Sequence, residues 1–283
     1  MSDLEIETPI LDDHLHLDPD NGRGLEAVED FADAGGTHLF VINKPSWQLG
    51  VDADCGEDFR PVFERTIEVV EAASEILPGR AWPILGVHPA CISQLVGGRG
   101  YTPAEASEVM QEGIDVAAEY VDRGAALGLK SGRPHWDAPD DVWAASNDVM
   151  RRAFERAGEL DCPVQLHAEE SEEMTEVIEW AEDAGLAACR VVKHFAGGKL
   201  EGPIPSVISM KDELEVATER GEPFLMETDF IDDPDRPGAV LGPKTVPRRV
   251  SWLLEEGHED AVRNAHVETP RLVYDVDTEA TLE

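Results

Sequence analysis

Lysine is scarce in this chain: of 283 residues, lysine occupies only positions 44, 130, 193, 199, 211 and 244. All basic residues together number 23 against 60 Asp plus Glu, for a formal net charge of −37. At ordinary ionic strength such a surface opposes compaction and repels polyanions. Near 1 M salt the Debye length falls to about 3 Å and the repulsion is screened. The imbalance therefore reads as adaptation to a salt-rich solvent, the halophilic pattern, and says little about substrate. Long apolar runs are also missing, none approaching the roughly 18 residues of a membrane span. The start, Met1-Ser2-Asp3-Leu4-Glu5, lacks the basic-then-apolar order of a signal peptide. A cytoplasmic protein without a membrane partner is expected. The four cysteines, Cys55, Cys91, Cys162 and Cys189, have no paired spacing, which excludes a disulfide framework or a zinc knuckle and leaves reduced thiols. Linkers, internal repeats and low-complexity tracts are absent as well. One domain over 1–283 is expected, and at 42% hydrophobic the chain can bury a sizeable core.

What is present is organised around Ile10-Leu11-Asp12-Asp13-His14-Leu15-His16-Leu17. Side chains alternate along a strand, so His14 and His16 leave one face while Leu15 and Leu17 leave the other. Two imidazoles aimed at one point suit a divalent cation better than a packed core. An incidental pair on a surface strand is the plain alternative, and later strands decide between them.

Strand-like and helix-like segments then take turns. Strands are expected at 10–17, 38–43, 81–88, 125–130, 163–167, 190–195, 205–209 and 223–230. Helices are expected at 25–34, 59–76, 103–121, 142–160, 172–184, 211–220 and 246–264. Thr102-Pro103 and Asp140 open helices, and Gly35-Gly36, Gly185 and Gly221 close them. Eight strands alternating with seven helices over about 250 residues predict a single-domain α/β fold, a (β/α)8 TIM barrel. The competing doubly wound sheet lacks a G-x-G-x-x-G turn after the first strand.

Chemistry in such a barrel sits where strands end. His14 and His16 end the first strand, His88 the third, Lys130 the fourth and His167 the fifth. His194 falls late in the sixth and Asp229 near the end of the eighth, while His135 lies in the loop after the fourth. Six of the nine histidines thus fall at positions one mouth would expose. His38, His258 and His266 are expected to be structural or solvated.

These residues carry a family resemblance. His14-x-His16, Gly86-Val87-His88-Pro89, His167, His194 and Glu227-Thr228-Asp229-Phe230 resemble the TatD-type metal-dependent hydrolases of the amidohydrolase superfamily. Thr269-Pro270-Arg271-Leu272-Val273-Tyr274 is similar to that family's C-terminal turn. Gly132-Arg133-Pro134-His135-Trp136 and the segment from Arg236 to Lys244 look most like its archaeal branch. The resemblance spans essentially the whole chain. It implies a barrel with one or two divalent ions, zinc first, with manganese, cobalt or nickel as alternatives. It further implies hydrolysis by a metal-bound hydroxide. His14, His16 and Asp229 would hold the more buried ion, and His167 with His194 the more exposed one. Asp229 would be general base and then proton donor to the leaving group. Asp12 would steady an imidazole from behind or be a buried polar residue at the barrel floor.

One position departs from the family. Where TatD-type enzymes bridge their metals with a glutamate, this chain reads Gly128-Leu129-Lys130-Ser131-Gly132. An unmodified ammonium repels a dication. Lys130 is therefore expected either to be carboxylated by carbon dioxide into a bridging anion, as in other amidohydrolases, or to replace one metal outright.

Five of the six lysines fall at or after strand ends, which assigns Lys44, Lys199 and Lys244 to an anionic substrate. Arg133 would grip phosphate or carboxylate through two donors, and His88 and His135 complete the set. Lys193 would face the mouth beside His194 or point outward from it. Trp47 and Trp136 would line the pocket or simply pack. The expected function is hydrolysis of a small anionic phosphoester, with deoxyribonuclease action on DNA ends as the family's implied specialisation. Amide or lactone hydrolysis of a small anionic molecule is the enzymatic alternative, and a non-catalytic metal-binding or ligand-binding barrel the other. Oligomeric state is not legible.

Overall fold

The computed structural model describes residues 8–236 and 240–282. Met1 to Glu5, used above for the leader, and Pro237, Gly238 and Ala239 of the segment 236–244 lie outside the described residues. In chain order the elements are β1 (Leu11–His16), α1 (Leu25–Asp33), β2 (His38–Ile42), α2 (Arg60–Ser74), β3 (Ala81–Gly86), the short α3 (Cys91–Ser93), α4 (Pro103–Asp122), β4 (Gly128–Gly132), α5 (Asp140–Leu160), β5 (Val164–His167) and α6 (Thr175–Asp183). There follow β6 (Val191–Ala196), β7 (Ile204–Ile208), α7 (Lys211–Arg220), β8 (Leu225–Glu227), β9 (Phe230–Ile231), α8 (Thr245–Glu255), α9 (Glu259–Arg263) and α10 (Thr269–Tyr274).

All pairings are parallel, in the order β8-β7-β6-β5-β4-β3-β2-β1-β9. β8 and β9 are two halves of one barrel strand, interrupted at Thr228-Asp229. The first half pairs with β7 and the second with β1, so the ring closes through that interruption. The fold is the (β/α)8 barrel. Local chemistry agrees with it: Thr102 caps α4, its Oγ1 accepting from Glu105 N at 3.3 Å while Glu105 Oε2 accepts from Thr102 N at 2.8 Å. Gly221 ends α7 at φ 66°, a conformation open to glycine without strain.

Two features depart from a regular alternation. No helix joins β6 to β7, as the expected segments have it. Residues 197–203 read Gly-Gly-Lys-Leu-Glu-Gly-Pro, with no 3.6-residue apolar repeat. The loop lies directly on α7, where a Cβ at Gly198 would come within 2.4 Å of Glu213 O. The predicted helix 246–264 is broken between α8 and α9 at Gly257, whose φ is 85°.

The barrel interior is layered. Leu11, Phe40, Ile42, Ile84, Val192 and Leu225 form an apolar floor, closed from below by Val273 and Tyr274 in the last turn of α10 and by Val276 just after it. Burial of these side chains stabilises the ring by about 1.5–3 kcal/mol each. A polar layer of Asp13, Gln165 and Ser206 rests on that floor, and the histidines stand above it. The four cysteines are free thiols. Among the described residues no helix is long and apolar enough to cross a membrane.

Candidate metal centre

Two strands gain one residue where their histidines lie. β1 slips against β2 between Asp12 and Leu15, and β6 slips against β7 between Lys193 and Ala196. An extra residue re-aims neighbouring side chains. In β1 the strict alternation predicted for 12–17 is broken, so Asp13 and His14 both reach the interior: both touch Gln165. In β6 the chain turns at Phe195, which adopts φ 50° and is 43% exposed, while His194 is buried. A positive φ at phenylalanine is strained.

Asp229 also has positive φ, 46°, and its N–H donates to His14 O at 2.9 Å. Its Oδ1 stands 3.9 Å from His14 Nε2 and 3.8 Å from His16 Nε2. Lys130 Nζ lies 3.3 Å from His14 Nε2. His194 stacks on His14 with ring centroids 3.9 Å apart, and His194 Nε2 lies 2.7 Å from His167 Nδ1. The groups singled out at 14, 16, 130, 167, 194 and 229 therefore stand in one neighbourhood at the C-terminal mouth of the ring. His88 packs on His167 at 4.5 Å between centroids, with Trp47 beyond it, and His135 contacts His167 from the rim.

Three of the four candidate ligand imidazoles are hydrogen-bonded through their other nitrogen, and the fourth, His194, faces a carboxylate there without a hydrogen bond. His14 Nδ1 meets Gln165 Oε1 at 2.6 Å, and His16 Nδ1 meets the Ile42 carbonyl at 2.9 Å. His194 Nδ1 faces Glu227 Oε1 at 3.4 Å, and His167 Nε2 meets His135 Nδ1 at 2.7 Å. Such outer contacts fix ring orientation at metal sites. Burial, reinforced by the Lys130 charge, holds His14 well below the ordinary imidazole range and His16 down to about 3. Burial likewise keeps His167 and His194 well below it, with neighbouring imidazoles adding to the effect. All four are neutral at pH 7, the form that binds metal. Burial also pushes the Asp229 carboxyl up and the Lys130 ammonium down, each opposed by the other's charge.

The donor set fits a divalent ion. A tetrahedral ion with bonds of about 2.0–2.1 Å sets its ligand atoms roughly 3.3–3.4 Å apart. His14, His16 and Asp229 need to close by about half an ångström to reach that spacing, and the His167–His194 pair, now at 2.7 Å, needs to open by a similar amount. Buried polar atoms without partners, His194 Nδ1 and Glu227 Oε2, lie beside the same cluster.

Glu227 is the residue that sequence reasoning passed over. It is fully buried, accepts from Phe195 N at 2.8 Å through Oε1, and with His14 and His194 forms a second group able to hold a metal. Burial, and then the Asp229 charge, pushes its carboxyl well above the usual range. The clue was its position two residues before Asp229, the same spacing that drew attention to His14 and His16. Asp12, by contrast, steadies no imidazole. Its Oδ1 accepts from Thr228 N at 3.0 Å and His14 N at 3.3 Å, and its Oδ2 from Thr228 Oγ1 at 2.6 Å, so it bridges the seam where the ring closes.

Four expected substrate contacts stand elsewhere. Lys44 is buried, with Nζ 2.8 Å from Asp18 Oδ2 and 3.0 Å from Asp232 O. Arg133 is buried between Trp143 and Trp180 and paired with Glu169 and Glu176. Lys199 faces Glu172 at 3.8 Å, and Lys244 pairs with Asp30 at 2.7 Å. With 60 acidic groups for 23 basic ones, these four cations each find a carboxylate before they find a substrate. Lys193 is buried and donates to the His194 carbonyl.

A parallel (β/α)8 ring whose strand ends bring four neutral imidazoles, a carboxylate and a lysine to one mouth defines the class: a metal-dependent hydrolase. The sequence family described as TatD related DNase matches residues 11–275, and the chain belongs to that family. An uncharacterized protein of Methanocaldococcus jannaschii is 34% identical over 98% of this chain and 99% of its own length. Among solved structures, a TatD-like protein from Archaeoglobus fulgidus superposes with TM-score 0.60 at 18% identity, covering 94% of this chain and 100% of that one. An organophosphorus hydrolase from Deinococcus radiodurans superposes with TM-score 0.61 at 15% identity, covering 95% and 93%. At such identities the two structures speak for the shared fold.

Proposed function

We propose that the whole chain acts as one hydrolase that cleaves a compact phosphoester at a two-ion centre. His14, His16 and Asp229 would hold one ion, His167 and His194 the other, with Lys130 between them. The observation that carries this is the convergence of those groups from β1, β4, β5, β6 and the β8–β9 break, with His14, His16 and His167 hydrogen-bonded from behind and His194 facing Glu227. Divalent ions, zinc first and manganese, cobalt or nickel next, supply Lewis acidity and an acidified water when bound.

This chain's own groups do the rest. Asp229, kept near the mouth by its bond to His14 O, takes the proton of the attacking water on Oδ and returns it to the leaving oxygen. Lys130 is deeply buried, with burial favouring its neutral amine. Its Nζ would add carbon dioxide, forming an N–C bond and releasing one proton, to give a carbamate anion between the ions. His88 and His135 at the rim would contact the substrate.

Compact substrates are favoured over long strands because Lys44, Arg133, Lys199 and Lys244 each already face a carboxylate. Tracking a nucleic acid backbone needs a groove with unneutralised basic walls. The test is hydrolysis by metal-loaded protein in molar KCl of an aryl phosphodiester, an oligonucleotide with free ends and a lactone. Preferred cleavage of the small diester, reduced at least 10³-fold in Asp229→Asn, is the expected outcome. Undiminished turnover in that variant overturns the mechanism, and preference for the oligonucleotide or the lactone overturns the substrate.

A further inference from the structure

His14, His16 and His194 all direct Nε2 toward the centre while an oxygen stands behind Nδ1. The oxygens belong to Gln165, the Ile42 carbonyl and Glu227, all buried. His167 is the exception. Its Nδ1 faces inward, 2.7 Å from His194 Nε2, and its Nε2 is held at 2.7 Å by an imidazole, that of His135. His135 is exposed and belongs to the loop between β4 and α5, outside every strand that carries a proposed ligand.

An imidazole binds a cation only through a nitrogen that carries no proton, and the hydrogen bond made by the other nitrogen decides which one that is. For His167 to present an unprotonated Nδ1 beside His194, its proton must sit on Nε2, and His135 Nδ1 must accept it. No other partner to His167 Nε2 is found among the described residues. We infer that His135 is a positioning residue: by accepting from His167 Nε2 it turns the Nδ1 face of His167 to the centre and thereby sets the affinity of the second ion alone. His14, His16 and Asp229 share no contact with His135, so the first ion is untouched by its loss. A mouth residue assigned above to substrate thus also governs how firmly the centre is completed.

The inference rests on the ligand set proposed above, and two readouts keep the two separable. The first is stepwise Co²⁺ binding measured by chelator competition and by the visible absorption of the bound ion. His135→Ala should weaken the second ion about 10- to 100-fold and leave the first within a factor of two. His135→Asn, whose amide reaches the place of the imidazole Nδ1, should recover most of that loss. The second is a crystal structure of metal-free His135→Ala, in which the His167 ring should rotate away from His194. Unchanged second-ion affinity, equal weakening of both ions, failure of Asn to recover the affinity, or an unmoved His167 ring would each overturn the role. If the unsubstituted protein takes only one ion, the ligand set fails, and the ring position in the metal-free variant still decides on His135.

Discussion

At the residue scale Lys130 is the most informative departure from the family, and it gives a direct test. Lys130→Glu restores a fixed carboxylate at a buried position 3.3 Å from His14. That variant should bind two ions and hydrolyse substrate without added bicarbonate. Lys130→Met should lose the second ion, and the unsubstituted protein should lose activity when carbon dioxide is stripped and regain it on bicarbonate addition. Two histidines outside the centre add to the sensitivity toward acid. Burial lowers His38 to about 4 and His266 to about 3. Because the unfolded chain takes up these protons near pH 6.5 and the folded chain resists until well below, their stabilisation is complete above 6.5. It is lost as pH falls toward 4 and 3, by about 1.4 kcal/mol per unit for each group. Between pH 6.5 and 5 the loss of stability on acidification should be smaller in His266→Asn than in the unsubstituted protein when both are unfolded in urea, the difference isolating that imidazole from the buried carboxyls that titrate over the same range. A slope unchanged by that substitution would refute the assignment.

At the scale of elements, most of the barrel was legible because buried parallel strands read as short apolar runs and amphipathic helices as 3.6-residue repeats. What escaped was set by packing between distant segments. The slips in β1 and β6 depend on the registers of β2 and β7, which nothing near Asp13 or Phe195 records. The absence of a helix after β6 was legible in the glycines and proline of 197–203, and none was expected there. Glu227 hid beside a more conspicuous aspartate. Lys44 and Arg133 looked available because their partners Asp18, Glu169 and Glu176 are brought to them only by folding. The seam offers an element-scale prediction. Asp12→Ala removes two hydrogen bonds between β1 and the β8–β9 break and one within β1, and should cost about 2–4 kcal/mol in chemical unfolding. It should also weaken the ion held by His14, His16 and Asp229, whereas Asp12→Asn should retain most of both. Equal stability of Asp12→Ala and the unsubstituted chain would show that the seam does not depend on that carboxylate.

At the scale of the whole molecule the charge of −37 dominates. Ion pairs such as Arg60 with Glu57 and Glu119 or Arg152 with Asp115 and Glu155 involve only a fraction of the acidic groups. The remaining carboxylates repel one another over a range that shrinks from about 10 Å at 0.1 M salt to about 3 Å at 1 M. Thermal unfolding should therefore shift upward by ten degrees or more between 0.1 and 2 M KCl, roughly 2–4 °C for each kcal/mol of repulsion relieved in a chain of this size. A midpoint independent of salt would remove the halophilic reading.

The ring closes where the first strand meets the last, and the proposed centre straddles that closure, with His14 and His16 on one side and Asp229 on the other. An ion seated there works as a clasp between opposite ends of the polypeptide and ties some two hundred intervening residues into a loop that cannot fray from either side. Stripping it should loosen both ends together, so that proteases find β1 and the segment beyond residue 225 at the same moment. Synthesis carries the matching corollary: while the ribosome is still short of Asp229, the polypeptide already has every imidazole of the centre but no hoop to hold them, and cation uptake becomes a late sign that the barrel is whole.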